Sequence, residues 1–329
     1  MRVLVTGGLG FTGVATVSRL LKDGHTVVVL DKQPGLACEQ LKEAGAEVTL
    51  GSVTDGDLVA RMVVGAEVVL HLAAAFREVG VSDSVYREVN VEGTRLVAHA
   101  ARHAGVRKLV YCSTQGVHGH IGDPPGDESS PICPEDCYQE TKYQGELAVR
   151  EVCGDKLEFT ILRPTAIYGP GDPARFLMIF QRVQKGTFPM FGDGQAYYHP
   201  VYIDNLVDAF VLVMAAGVGA GEAYIIADQK YVTIRHLVER VARAMGQQVH
   251  IPTLPLRPLI IAGHLCDWIC KPFGIEPLIF PRRVDWFRQV RAFRIERARI
   301  ELGYEPQVDL DEGLRRTAEW YREHGFLEA

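Results

Sequence analysis

Arg2-Val3-Leu4-Val5-Thr6-Gly7-Gly8-Leu9-Gly10-Phe11-Thr12-Gly13 is the stretch that decides the fold. Val3 to Thr6 reads as a strand. It runs into three glycines, Gly7, Gly10 and Gly13, spaced Gly-x-x-Gly-x-x-Gly. Beyond them Val14, Val17, Leu20 and Leu21 line one face of a helix from about Thr12 to Lys22. In that order the glycines permit a tight turn and let backbone approach a pyrophosphate. The helix start offers unpaired N–H groups and the positive end of its dipole. The next strand, Val27 to Leu30, ends in Asp31. A carboxylate there accepts hydrogen bonds from ribose hydroxyls and repels a 2′-phosphate, which favours NAD over NADP. Lys32, a base beside it, keeps NADP as the alternative.

Further strands are expected at Val48 to Leu50, Val68 to Leu72, Lys108 to Cys112 and Phe159 to Leu162. Between them Val89 to His103 and Tyr138 to Val152 read as helices. Apolar Val/Leu runs buried on both faces belong to a parallel sheet, and strands alternating with helices imply right-handed crossovers. The fold class is α/β: a Rossmann-type doubly wound parallel sheet with a smaller C-terminal substrate lobe. Residues 1–170 are expected to form mainly the NAD-binding domain and 171–329 mainly the substrate lobe, with the chain crossing between them. Pro255, Pro258, Pro272, Pro277 and Pro281 break the later segment, and Leu310 to Gly325 closes the chain as an amphipathic helix. No internal repeat is visible.

The composition is that of an ordinary globular protein: 329 residues, 47% hydrophobic and 23% charged. The net charge of -6 argues against nucleic acid and anionic lipid as partners, which need a basic field. Seven scattered cysteines and no signal-peptide pattern imply a reduced, cytoplasmic protein. No apolar run approaches the roughly 20 residues of a membrane span.

Downstream, Tyr138-Gln139-Glu140-Thr141-Lys142 sets a phenol and an ammonium one helical turn apart. A phenol is a poor base at neutral pH. A neighbouring ammonium favours the phenolate and brings it toward the working range, so that it exchanges a proton with a substrate hydroxyl.

These motifs, with Leu72-Ala73-Ala74, Asn90-Val91-Glu92-Gly93-Thr94, Ser113-Thr114, Arg163-Pro164, Tyr168-Gly169-Pro170, Gly192-Asp193-Gly194, Val201-Tyr202-Ile203-Asp204-Asn205 and Glu301-Leu302-Gly303-Tyr304, carry a resemblance over nearly the whole chain. The chain resembles an extended short-chain dehydrogenase/reductase, of the epimerase/dehydratase and 3β-hydroxysteroid dehydrogenase branch. The resemblance implies Tyr138 as general acid/base and Lys142 as the charge beside it and a holder of the nicotinamide ribose. It implies Thr114 on the reacting oxygen, with Ser113 sharing that role. It places Gly7, Gly10, Phe11, Thr12, Gly13, Asp31, Lys32, Ser52, Val53, Leu72, Ala73, Ala74, Asn90, Tyr138, Lys142, Pro164 and Ile167 around the cofactor. It also implies a homodimer through Val89–His103 and Tyr138–Val152.

Departures narrow the substrate. Acids follow the catalytic threonine in dehydratase and decarboxylase relatives, whereas Gln115 and Gly116 stand here, so elimination is not expected. Sugar-nucleotide relatives carry an arginine near Tyr198 to clamp the diphosphate, and a tyrosine cannot neutralise that charge. Candidate substrate contacts are Gln115, Ala166, Tyr198, His199 and Arg283. The apolar, proline-broken Leu254 to Phe280 suits a sterol-like pocket or ordinary packing, and membrane-surface contact is not expected. His118 and His120 lack the partners a metal needs, so no metal is assigned. The leading expectation is an NAD-dependent oxidoreductase acting on a small secondary alcohol or ketone, sterol-like or sugar-nucleotide. Its rivals are a nucleotide-sugar 4-epimerase with tightly bound NAD, a non-catalytic NAD-binding sensor or scaffold, and a peripheral lipid-modifying enzyme.

Overall fold

The structure is a computed structural model, and it describes residues 1–76, 82–172, 175–270 and 286–328. Strand β1 (Arg2–Thr6) leads into helix α1 (Phe11–Lys22), then β2 (Thr26–Asp31), α2 (Cys38–Glu43), β3 (Glu47–Leu50), α3 (Gly56–Met62) and β4 (Val68–His71). Helix α4 (Asp83–Arg87) continues through a π-helical turn, Glu88–Gly93, into α5 (Thr94–His103). Strand β5 (Lys108–Cys112), helix α6 (Cys137–Cys153) and β6 (Glu158–Pro164) follow.

Six of these strands and Ala223–Ile226 form one parallel sheet, in the order Ala223–Ile226, β6, β5, β4, β1, β2, β3. The central strands are apolar because helices cover both faces: Val3, Leu4, Val5, Val69, Leu70, Leu109 and Val110 are all fully buried. The parallel order places the loops after β1, β4, β5 and β6 along one edge of the sheet, the carboxyl edge where ligands bind in open α/β sheets.

The seventh strand was not expected, nor were the short helices α2 and α3. Ala223–Ile226 pairs with β6, from Ala223 opposite Ile161 to Ile226 opposite Pro164. The expected helix Val89–His103 is also longer: it begins at Asp83 and carries the π turn. Gly93 sits in that turn because a Cβ there would meet Val53 Cγ2 at 2.8 Å.

The second half builds a separate aromatic core. Phe176 and Phe180 of helix Arg175–Gln184 pack with Tyr168, Tyr198, Tyr202 and Tyr321. Helices Ile203–Val213, Ile234–Ala244 and Leu310–Glu323 frame this core, and only the last was legible beforehand. Among the described residues no helix is long and apolar enough to cross a membrane.

Candidate active site

The three glycines of the turn after β1 have different reasons to be glycine. Gly7 has φ +72°, and a Cβ there would lie 2.7 Å from Ala73 N, so the turn rests against the backbone that follows β4. At Gly13 a Cβ would lie 2.1 Å from Gly7 O and 2.6 Å from Gly8 Cα. Gly10 is different: the nearest atom to a Cβ is Gly7 O at 3.5 Å, an ordinary contact. The protein's own packing does not demand a glycine there. What it leaves is open backbone at the start of α1, where Gly10 caps the helix without a side-chain hydrogen bond, ahead of Phe11 and Thr12. That is the cradle an anionic diphosphate needs.

Asp31 stands beside the cradle. Its Oδ2 accepts from Leu9 N–H at 2.9 Å and its Oδ1 from Gln33 N–H at 3.3 Å, so the carboxylate is oriented before any ligand arrives. Lys32 is exposed next to it. Ser52 bonds Thr54 through the two hydroxyls at 2.8 Å, and the Val53 side chain is buried in the core. Leu72 N–H donates to Thr6 O at 3.0 Å, which ties the Leu72-Ala73-Ala74 turn to the end of β1. Asn90 is fully buried; its amide donates to Ala75 O (3.2 Å) and Thr141 Oγ1 (3.1 Å) and accepts from Ala75 N–H (2.8 Å). Both amide protons are thus used inside the protein, where they hold the turn at Ala75 against Thr141.

Helix α6 starts at Asp136, whose side chain accepts from Gln139 N–H at 2.8 Å. Tyr138 lies in its first turn, half-buried, with its ring 4.8 Å from that of Phe76. One turn on, Lys142 is buried with Nζ 4.2 Å above the centre of the Tyr111 ring. Burial pulls its ammonium down to about 8, against the opposing pull of Cys112 and Glu146.

Glu146, a further turn along the same face, was not anticipated. It accepts from Ser113 Oγ at 2.5 Å and from Arg163 at 2.9 and 2.6 Å. Arg163 also meets His118 Nε2 at 3.1 Å, so the His118 Nδ1–H donates to Ser130 O at 3.0 Å. Burial and Arg163 lower the His118 pKa, which keeps the ring neutral. His118 is therefore part of a buried ion-pair network. His120 accepts from Val290 N–H at 3.0 Å on a different segment.

This network separates two residues that sequence left together. The Ser113 proton goes to Glu146. Thr114 Oγ1 accepts from Gly116 N–H at 3.1 Å, which leaves its own proton for another acceptor. Gln115 Oε1 and Thr165 Oγ1 are buried without a hydrogen-bond partner, an arrangement that costs stability unless a ligand supplies one. Both flank residues expected at the site. Ala166 is buried and Ile167 half-buried in strand Ala166–Tyr168, just after Pro164.

The expected substrate contacts Tyr198 and His199 are both buried. Tyr198 is buried, with ring contacts to Phe176 and Trp286. His199 is buried with both nitrogens engaged: Nδ1 accepts from Phe293 N–H at 3.3 Å and Nε2 donates to Asp228 O at 2.8 Å. Arg283 lies outside the described residues, as do Pro272, Phe273, Pro277, Phe280 and Pro281.

Comparison with known proteins gives the family and the fold. A family model described as "NAD dependent epimerase/dehydratase family" matches residues 3–227. A "3 beta-hydroxysteroid dehydrogenase/Delta 5-->4-isomerase" of Mycobacterium tuberculosis is 34% identical, covering 97% of this chain and 90% of its own. A "UDP-glucose 4-epimerase" of Mycolicibacterium smegmatis is 33% identical, covering 98% and 99%. Among solved structures, the dTDP-glucose 4,6-dehydratase DesIV of Streptomyces venezuelae, with NAD bound, superposes with a TM-score of 0.79 at 29% identity, covering 100% and 99%.

Proposed function

The chain belongs to the NAD dependent epimerase/dehydratase family, and on that premise we propose a net dehydrogenase that oxidises the secondary alcohol of an apolar, sterol-like substrate or reduces the ketone. It is an NAD-dependent enzyme of the extended short-chain dehydrogenase/reductase type. NAD supplies the hydride acceptor for oxidation. The chain's own residues do the rest. Gly10, Phe11 and Thr12 receive the diphosphate and Asp31 the adenosine ribose. Tyr138 takes the substrate's hydroxyl proton and returns it in reduction. Lys142 stabilises the phenolate and holds the nicotinamide ribose. Thr114 donates its remaining proton to the reacting oxygen, while Ser113 holds Glu146.

The observation that carries this reading is the buried Lys142 ammonium one turn beyond Tyr138. A cation buried against the Tyr111 ring and near Glu146 still carries a desolvation cost that packing alone does not repay. The apolar substrate class rests on two further points. Tyr198, which stands where sugar-nucleotide relatives carry a clamping arginine, is buried among aromatics. Helix Leu256–Cys270 is apolar yet leaves Ile261 68% exposed. The M. tuberculosis relative's name points the same way.

The M. smegmatis relative supports a second reading, 4-epimerisation of a sugar nucleotide. The test is to supply NAD with a 3β-hydroxysterol, and separately UDP-glucose, following reduced-nicotinamide absorbance and sugar product. Net NADH from the sterol supports the dehydrogenase. UDP-galactose without net NADH replaces it with the epimerase. We place the enzyme in the cytoplasm as a homodimer through α5 and α6, where Leu147 is 46% exposed. Sedimentation of the purified protein tests the dimer.

A further inference from the structure

His71 ends β4, fully buried beneath the turn that would line the cofactor, and none of the roles above uses it. Its Nδ1 lies 2.6 Å from Thr6 Oγ1 and its Nε2 lies 3.0 Å from Thr94 Oγ1. The direction of each bond follows from counting protons. Thr94 Oγ1 donates its single proton to Asn90 O at 2.8 Å, so toward His71 it acts as an acceptor. The ring proton is therefore on Nε2. Nδ1 is then an acceptor, and Thr6 Oγ1–H donates to it. Thr6 Oγ1 in turn accepts from Ala73 N–H at 3.4 Å. The opposite tautomer would leave the Thr6 hydroxyl proton buried with no acceptor, a cost comparable to a lost hydrogen bond.

The chain of bonds does not stop at Asn90. Its amide holds Ala75 on both backbone groups and donates to Thr141 Oγ1. Thr141 Oγ1 in turn donates to Cys137 O at 2.8 Å and Tyr138 O at 3.0 Å. One buried network thus runs from the end of β1, under Ala73 and Ala75, to the backbone carbonyl of Tyr138.

We propose that His71, held as the neutral Nε2–H tautomer, is a positioning residue that fixes the cofactor turn Leu72–Ala75 relative to Tyr138 through Thr6, Thr94, Asn90 and Thr141. The coupling rests on the reading of Tyr138 and of the NAD site given above. Its use is geometric: hydride transfer and proton transfer occur at one carbon and its oxygen, so cofactor and phenol must be held in fixed register. Burial and the charge of Lys142 hold the ring's pKa at about 3, so the network keeps one proton arrangement across the working range.

Two experiments on the full-length protein test this. Nitrogen-15 NMR of histidine-labelled protein, with His71 assigned through a His71→Gln variant, reads the tautomer without any need for activity. Protonated Nε2 and bare Nδ1 from about pH 6 to about pH 8 are expected; a proton on Nδ1, or a charged ring, overturns the proposal. The second uses Thr94→Val, which keeps shape but removes the hydroxyl, and Thr94→Ser, which restores it. Thr94→Val is expected to lower kcat/KM by roughly tenfold and to weaken NAD binding, with Thr94→Ser returning both to wild type. Equal behaviour of Thr94→Val and wild type overturns the coupling. If Thr94→Val does not fold, Thr94→Ser must still match wild type in both readouts. Should wild type itself neither bind NAD nor turn over, the functional reading falls, and the NMR result still decides the hydrogen-bond direction.

Discussion

The cofactor end and the aromatic second half of this molecule are built from different materials. The cofactor end uses glycines, threonines and backbone groups. Its distances are set by close approach, as where Gly13 allows no Cβ within 2.1 Å of Gly7 O. The second half uses aromatic side chains, with Phe176, Tyr198, Trp286 and Phe287 in edge-on and tilted contacts. A dinucleotide is a fixed ligand, and fixed backbone suits it. An aromatic wall can be recut by single substitutions, which suits a family whose substrates vary.

The largest effect should come where the two ends meet. Tyr138→Phe removes the proton carrier but keeps the ring on Phe76. Turnover is expected to fall by about 10²–10⁴-fold with NAD affinity unchanged, as read by steady-state kinetics and a binding titration. Retained turnover would mean that chemistry does not depend on this phenol.

Next comes a stability effect confined to the second half. Burial raises the Asp228 carboxyl to about 7, partly offset by Tyr202 N–H, Asn205 and Tyr168. The folded state therefore holds a proton that the unfolded chain, with its ordinary carboxyl, releases. Between about pH 4 and about pH 7 the folded state binds more protons, so this group's contribution to stability falls as pH rises, by up to about 4 kcal/mol. Asp228→Asn keeps an oxygen for Tyr202 N–H and Asn205, whose bonds are 2.9 and 2.7 Å. Denaturant midpoints across pH should lose that decline, and the variant should match or exceed wild type at about pH 8. A variant less stable at every pH would refute the assignment.

Gly13→Ala tests the close-approach rule at the cofactor end. The added methyl meets backbone, which cannot rotate away, so a loss of about 1–3 kcal/mol in stability is expected together with weakened NAD binding. Gly10→Ala, whose Cβ meets only an ordinary contact, should leave stability within about 0.5 kcal/mol while still impairing NAD affinity. Equal stability losses at the two glycines would erase the distinction drawn between them. A smaller effect is expected from Asp31→Asn. The amide oxygen still accepts from Leu9 N–H, but the charge is gone, so preference for NAD over NADP should narrow by roughly tenfold in competing titrations.

The same contrast explains what could be read from sequence. Strand β1, the glycine turn and Asp31 form a local pattern within about thirty residues of sequence, legible even though the close approach of Gly7 is to the distant Ala73. Strand Ala223–Ile226 was missed because four residues carry too little periodicity, and its partner β6 lies some sixty residues earlier. Glu146 stood in plain view, four residues beyond Lys142. Its meaning came only from Arg163 and Ser113, which the fold delivers to it. His71 read only as a position within the strand Val68 to Leu72 for the same reason. The burial of Tyr198 and His199 was not legible, because it comes from residues far away in sequence such as Trp286 and Phe293.

The central claim is that Tyr138, supported by Lys142, moves the proton while bound NAD takes the hydride from an apolar secondary alcohol. The most direct measurement is NADH formation from NAD and a 3β-hydroxysterol, by wild type and Tyr138→Phe side by side. The account predicts sustained NADH production by wild type and almost none by the variant, with both proteins binding NAD equally. Equal rates from the two, or no NADH from wild type while it interconverts UDP-glucose and UDP-galactose, would contradict it.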